Sequence, residues 1–286
     1  MLLFIAVSIG LGSIVGSIYI NLAVSPQAGT MLGNTVARSL LLYLSNGSDV
    51  VPGDSLMMLA DDSPLPCSFP ALRNQLGFGN LSFRVDLSAP LDVKAGATSS
   101  GLVVSVTKSG RMDPVEAFLH LYVLDMSSQT ILAFSGETNV DGSAFFSVTF
   151  TMSEVGVLFA KAGASTGYAV FSSQGTTLPR GILYVKDGRL RGGNQTSVYV
   201  LGFEDWVGPV APGGSVDVTG YSLPVVLVYQ DFGGVSHYST YPWLGGCGPT
   251  PVQAAGSYFS DQTFAVRVQG GNVILIRLRV WGPGGK

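Results

Sequence analysis

Charged side chains are scarce in this sequence. They make up 12% of the 286 residues, about half the share of an ordinary soluble domain. The fifteen Lys and Arg residues are scattered and form no basic run, which argues against a nucleic-acid partner. A chain with so little charge is expected either to place part of itself in a membrane or to cover much of its surface with copies of itself.

Histidine and cysteine are also rare, with two of each. His120 and His237 belong to no nucleophile or metal-binding motif, and neither cysteine has a Cys or His at ligand spacing. The sequence therefore predicts no catalytic residues, no metal site and no cofactor, and we expect a protein that is not an enzyme. Cys67 and Cys247 are compatible either with one disulfide in an oxidising compartment or with two free thiols.

Charge is absent altogether from residues 1–37, and Arg38 is the first charged residue. Residues 1–24 form an apolar run long enough to cross about 30 Å of hydrocarbon as a helix. The run lacks the basic region that precedes the apolar core of a signal peptide. We expect a transmembrane helix from which a cytoplasmic leader has been removed.

The predicted helix continues past Pro26, which should bend it, and ends near Gly47. This helix, residues 1–47, is longer than a membrane requires, so its outer half should pack against something else that is apolar. Small residues at spacings of four would let the backbones of such helices approach closely, although a glycine-rich single anchor remains an alternative. The predicted helix-packing and polymerisation residues are Phe4, Ala6, Ser8, Gly10, Gly12, Ser13, Gly16, Ser17, Leu40 and Leu44.

Residues 48–286 are rich in Gly, Ser, Thr, Val and Pro, and their apolar runs have strand length. The predicted fold class is therefore α+β: a long N-terminal apolar α-helix followed by an all-β antiparallel, Ig-like sandwich region. Asp141-Gly142 predicts a tight hairpin turn. A Ser/Thr/Gly-rich stretch at 165–179 suggests two β units, about 48–165 and 166–286, and one continuous sandwich is the alternative. The predicted strands are Leu81–Leu87, Leu102–Thr107, Phe118–Leu124, Ile131–Phe134, Ala144–Phe150, Val155–Lys161, Gly181–Val185, Ser197–Leu201, Ser215–Thr219, Pro224–Tyr229, Thr263–Val268 and Asn272–Val280.

Two surface features are also predicted. Three Asn-x-Ser/Thr sequons, at Asn46, Asn80 and Asn194, lie beside predicted turns and are candidate glycosylation sites. The aromatic segment around His237 is predicted to be a loop that either offers a binding surface or folds onto its own core.

The N-terminal segment resembles the N-terminal helix of archaeal flagellins (archaellins) and related archaeal type IV pilin-like filament proteins. The resemblance rests on Leu2–Ala6, on the small-residue stretch through Gly16, on Ile20–Ala23 and on the continuation through Leu44. It covers about the first 45 residues. It implies that a prepilin peptidase removes a short leader, that an assembly ATPase drives subunit addition, and that the helices bundle while the β region faces outward. Residues Gly96–Ala164 loosely resemble the Ig-like modules of bacterial surface proteins.

Together these patterns predict an extracellular, cell-surface filament subunit that forms a helical homopolymer and serves adhesion or motility. Before assembly the N-terminal helix would lie in the membrane. The alternative is a monomeric, single-span, membrane-anchored surface β protein that acts as a binding module.

Overall fold

The computed structural model of the protein describes Thr35 and residues 82–281. Short gaps in that range fall at 152, 174–175, 187, 193–194, 212, 219, 242–243, 248–257 and 268–270.

The described residues are almost entirely β, and the predicted α+β class is wrong for them. They form seventeen strands, and only Thr35 and Gly271 are in a helical conformation. The physical reason lies in the runs themselves, which are short, rich in β-branched and aromatic residues, and bounded by Gly, Ser and Asp. The predicted helix, residues 1–47, lies outside the described residues except for Thr35.

The strands fall into two consecutive series. The first series consists of β1 (Ser82–Ser88), β2 (Leu91–Thr98), β3 (Gly101–Lys108), β4 (Phe118–Asp125), β5 (Thr130–Glu137), β6 (Ser143–Phe146), β7 (Glu154–Ala162) and β8 (Ser165–Ser172). The second series consists of β9 (Tyr184–Lys186), β10 (Arg189–Arg191), β11 (Gln195–Leu201), β12 (Trp206–Val210), β13 (Val225–Asp231), β14 (Ser236–Tyr241), β15 (Gly246–Cys247), β16 (Tyr258–Arg267) and β17 (Val273–Trp281).

These strands build four sheets in the described part of the chain. The large sheet has the order β15-β1-β17-β8-β7-β4-β5, with β16 also paired to β17. A four-stranded sheet has the order β12-β11-β13-β14, a three-stranded sheet has the order β2-β3-β6, and β9 pairs with β10. Nearly every pairing is antiparallel, and the contact of β17 with β8 is a single parallel pair, Val273 with Ser165.

Three apolar cores lie between the sheets and hold them together as layers. The front core joins the three-stranded sheet to one face of β4 and β7, through residues such as Val104 and Leu121. The central core joins the opposite face of these two strands to the four-stranded sheet, through Tyr122 and Tyr199. The rear core joins the other face of the four-stranded sheet to β1 and β17, through residues such as Val200.

This layering explains why several strands are continuously apolar. Along β4, Leu121 belongs to the front core and Tyr122 to the central core. Along β11, Val200 faces the rear core and Tyr199 faces the central core. Strands that are buried on both faces lose the alternation of apolar and polar residues that marks a half-exposed strand.

The stretch at 165–179, which the composition predicts to separate two β units, contains β8. This strand lies inside the large sheet and forms eight residue pairs with β7, from Val155 with Ser172 to Ala162 with Ser165. Its small residues suit a buried strand, because a Cβ on Gly167 would come within 2.5 Å of the Leu91 carbonyl oxygen in β2. The predicted strand 215–219 forms one bridge among its described residues, from Ser215 to Arg189.

The turn predicted at Asp141-Gly142 is present, but it does not close a hairpin within one sheet. Gly142 has a φ of 72°, and its N–H donates to the Asn139 carbonyl oxygen at 2.9 Å. The Ser143 N–H donates to Asp141 Oδ1 at 2.9 Å. The turn carries the chain from β5 in the large sheet to β6 in the three-stranded sheet.

Candidate binding cleft

The sequence-predicted site residues lie almost entirely outside the described residues. This applies to the ten predicted polymerisation residues, to the three sequon asparagines and to Cys67. Cys247 lies in β15, where it is paired in register with Val85 of β1. The predictions of polymerisation, glycosylation and a disulfide therefore stay predictions.

The aromatic segment around His237 is the β13–β14 hairpin rather than a loop. Tyr229 is buried in the rear core and stacks on His237 with 5.5 Å between ring centroids. Asp231 organises the tip: it accepts the N–H of Val235 at 2.9 Å and lies 3.0 Å from His237 Nε2. The hydrogen bond from His237 lowers the pKa of the Asp231 carboxyl group, and so does the hydrogen bond from the Val235 N–H. Phe232 is exposed at the tip.

Arg277 and Arg279 on β17 are both paired with carboxylates. Arg277 forms two hydrogen bonds with Asp261 of β16, at 2.8 Å and 2.6 Å. Arg279 pairs with Asp86 of β1. Arginine and carboxylate thus alternate across three neighbouring strands, and the Arg277–Asp261 pair has the two-bond geometry that a guanidinium favours.

A cleft opens at one end of the face of the large sheet that the four-stranded sheet covers. Exposure grows along this face of β4: Tyr122 is fully buried, His120 is half-buried, and Phe118 is 60% exposed. The cover ends at the turn that follows β11, residues 202–205. The resulting cleft has a volume of about 740 Å³.

The floor of the cleft consists of two cross-strand rows. In the inner row, His120 of β4 is paired in register with Ser135 of β5 and with Phe159 of β7. In the outer row, Phe118 is paired with Glu137 on one side and with Lys161 on the other. Directly opposite residues of antiparallel strands have neighbouring side chains on the same face. Each row therefore presents a ring flanked by side chains from both neighbouring strands.

His120 is the ring that connects the floor to the wall. Its Nδ1 lies 3.3 Å from Ser135 Oγ, and its ring centroid lies 4.6 Å from that of Tyr122 and 6.1 Å from that of Phe203. Burial lowers the pKa of His120, and the Glu204 carboxylate opposes this effect. A neutral imidazole has one donor and one acceptor nitrogen, so His120 can both donate and accept a hydrogen bond near neutral pH.

The wall of the cleft is the turn between β11 and β12, which carries Phe203 and Glu204. The turn is tight, with the Gly202 N–H donating to the Asp205 carbonyl oxygen at 2.7 Å. A Cβ on Gly202 would lie 2.4 Å from Tyr221 Cδ1, so the close approach requires glycine at this position. Phe203 is held by a cation–π contact, since Lys161 Nζ lies 5.3 Å from its ring centroid.

A second, smaller pocket of about 300 Å³ adjoins the first. Phe118, Glu137 and Lys161 line both pockets, so the outer row forms a shared ridge between them. The far side of this ridge is shaped by Thr138, whose hydroxyl accepts the Ala117 N–H at 2.8 Å and donates to the Val115 carbonyl oxygen at 2.9 Å. The two pockets together offer an elongated site rather than a single hole.

Sequence reasoning missed this cleft. The only local signal is a histidine within the apolar run of β4, and the default interpretation of such a histidine is a core or face residue. The wall comes from residues about 80 positions later in the chain, and no spacing rule connects the two segments.

The described residues contain neither a metal-binding cluster nor a membrane-spanning helix. No group of three or more His, Cys, Asp or Glu side chains there is placed to hold a metal ion. No helix there has the length and hydropathy needed to cross a membrane.

Comparisons with known proteins place the chain in no family. No family model matches the chain, and no curated protein matches it. Among solved structures, a weak neighbour is human GIVD cytosolic phospholipase A2 in complex with methyl gamma-linolenyl fluorophosphonate, at 7% identity and a TM-score of 0.16. The alignment covers 72% of this chain and 33% of that enzyme, so the chain spans about a third of the enzyme's length. A TM-score this low shows no common fold and supports no statement about function.

Proposed function

We propose that the protein is a structural subunit of an extracellular, archaellum-like or type IV pilus-like filament, used for adhesion or motility. In this proposal, subunits assemble through the uncharged N-terminal segment and display the β region on the outside. The observation that carries the proposal is the segregation of charge: residues 1–37 contain no Asp, Glu, Lys or Arg, whereas the remainder carries all 33 charged residues.

An uncharged segment of this length needs an apolar environment at every stage. Lipid would supply it before assembly, and identical segments of neighbouring subunits would supply it afterwards. Because the transfer exchanges one apolar environment for another, little free energy is lost to the hydrophobic effect. Attraction between the segments would then come from close contacts, to which Gly12 and Gly16 contribute by keeping side-chain bulk away from the backbone. A prepilin peptidase and an assembly ATPase are the partners that this proposal implies.

The edge strand β5 supports a protein that lies among copies of itself. Within the described residues β5 pairs with β4 alone, which leaves one side of its backbone without a neighbouring strand. Its side chains include Leu132, which is 56% exposed, and no Lys, Arg or Pro. Soluble monomers usually protect such an edge with lysine or proline, and β5 lacks both.

The test is electron microscopy of appendages sheared from the native cells, with mass spectrometry of their major protein. Replacing Gly12 and Gly16 together by Leu should abolish assembly, because leucine side chains would keep the segments apart. Gly96→Leu is the matched control, since Gly96 is exposed and a Cβ there meets nothing within 4 Å. Normal filaments from the double variant would contradict the proposed packing.

A second candidate function is a membrane-anchored, monomeric surface protein that acts as a binding module. The cleft at His120 favours it, because a purely structural subunit does not require a concave site lined with an exposed ring and charged groups. A monomer that stays in the membrane fraction, without filaments, would favour this candidate over the first.

A further inference from the structure

We propose that the cleft is a saccharide-binding site. A sugar ring would lie on Phe118, and its hydroxyl groups would bind His120, Ser135, Glu137, Lys161 and Glu204. This inference goes beyond assembly of the protein and does not depend on it.

The first argument is the exposed aromatic ring in the outer floor row. Phe118 is 60% exposed, and its neighbours in register are the charged residues Glu137 and Lys161. The face of an aromatic ring carries partial negative charge and attracts weakly positive C–H groups. A pyranose presents such C–H groups on one face, and its hydroxyl groups point outward around the rim. The ring of Phe118 with polar side chains on both sides matches this arrangement.

The second argument is the balance of hydrogen-bonding groups around that ring. The carboxylates of Glu137 and Glu204 only accept hydrogen bonds, and the ammonium group of Lys161 only donates them. The pair of Ser135 and His120 can do both, because a hydroxyl and a neutral imidazole each offer a donor and an acceptor. A ligand with several hydroxyl groups is the chemical class that uses such a mixed set completely.

The third argument excludes other ligand classes by charge. A phosphate or carboxylate would approach two carboxylates and one ammonium group, so repulsion would outweigh attraction. An alkyl chain would desolvate the three charged side chains without replacing their hydrogen bonds to water, which is costly. An uncharged polyhydroxylated ring meets none of these penalties.

The fourth argument is size. The cleft of about 740 Å³ falls within the range that holds small ligands, and the adjoining pocket of about 300 Å³ lies across the ridge formed by Phe118, Glu137 and Lys161. A chain of two or more sugar units could lie across this ridge and occupy both pockets. We therefore expect disaccharides to bind more tightly than the matching monosaccharides.

The experiment is saturation-transfer-difference NMR on the full chain in detergent, with lactose, maltose, chitobiose and α-1,2-mannobiose as probes. At least one disaccharide should receive saturation, most strongly at the C–H protons of one ring face. Phe118→Ala should weaken its binding by about tenfold or more, because the variant removes an aromatic contact surface. Phe145→Ala is the matched control: Phe145 is 54% exposed and lies in β6, away from the cleft.

The outcomes separate this inference from the proposed function. Absence of binding by all four probes, or equal binding by the wild type and Phe118→Ala, would overturn the saccharide site whatever the assembly state. Binding that Phe118→Ala abolishes in a protein that forms no filaments would support the site and contradict only the filament proposal. A melting temperature of Phe118→Ala equal to that of the wild type would show that lost binding is not lost folding.

Discussion

Gly156 lies where β7 and β8 pack closely in the front core, and a substitution there tests this packing. It is paired in register with Phe171 of β8, and a Cβ built on it would lie 2.2 Å from Phe171 Cε2 and 2.3 Å from Cζ. Phe171 is 3% exposed and contacts Phe150 edge-on, with 5.6 Å between ring centroids. The ring therefore has little room to move away from an added methyl group.

Gly156→Ala should destabilise the protein by an amount that follows from this geometry. Ordinary contact requires about 3.4 Å or more, so the ring must shift by about 1 Å within a packed core. Overpacking of this kind costs about 1–3 kcal/mol. For a β region of this size, the expected fall in melting temperature is about 2–12 °C. Gly156 shows no positive φ, so the penalty is steric and not a matter of backbone conformation.

The assay is thermal unfolding of the full chain in detergent, followed by near-ultraviolet circular dichroism. Gly96→Ala is the matched control, because Gly96 also lies in a strand, has no positive φ and has open space at its Cβ. That variant should stay within about 0.5 kcal/mol of the wild type. Adding Phe171→Leu to Gly156→Ala should relieve the clash, so the double variant should be less destabilised than the sum of the two single variants. Equal melting of Gly156→Ala and Gly96→Ala would refute the packing described here.

Two further predictions concern groups outside the cleft. Tyr199 is 1% exposed, and its hydroxyl has no hydrogen-bond partner in the described part of the chain. Tyr199→Phe should therefore leave the stability measured by thermal unfolding unchanged or raise it by about 1 kcal/mol. A clear loss of stability would contradict this account. Asp231 has a folded-state pKa below its unfolded value of about 3.9. Its contribution to the β13–β14 hairpin is therefore present above that value and is lost as the pH falls through the folded pKa. Hydrogen exchange of the Val235 amide should show protection that falls at acidic pH in the wild type and does not change in Asp231→Asn. Equal pH profiles of the two proteins would contradict the stabilising role given to Asp231.

The sequence predicts strands best where the burial is greatest. The runs that became β4, β7, β11 and β13 are rich in apolar, β-branched and aromatic residues, and each forms a strand in the structure. The sequence does not indicate that these strands are buried on both faces, because a continuous apolar run fits several layer arrangements.

Composition alone does not predict strands made of small or polar residues. The run STGYAVFS became β8 because β7 supplies a complete ladder of partners, and its composition alone resembles that of a linker. The run SHYSTY became β14 for the same reason, with β13 as its partner. In both strands, neighbouring backbone groups decide the conformation, and these neighbours are visible only once the sheet is built.

The cleft could not be predicted, for a related reason. Its floor depends on the register of β5, β4 and β7, and its wall depends on a turn that arrives from the four-stranded sheet. A shift of one residue in any register would move Phe118 or Ser135 to the opposite face. Single-residue accuracy over long sequence separations is beyond what patterns of hydrophobicity provide.

The most direct test of the proposed function is to shear appendages from the native cells, image them by negative-stain electron microscopy and identify their main protein by mass spectrometry. The proposal predicts uniform filaments in which this chain is the dominant component. Recovery of the chain only as a monomer in the membrane fraction, with appendages made of another protein, would contradict it.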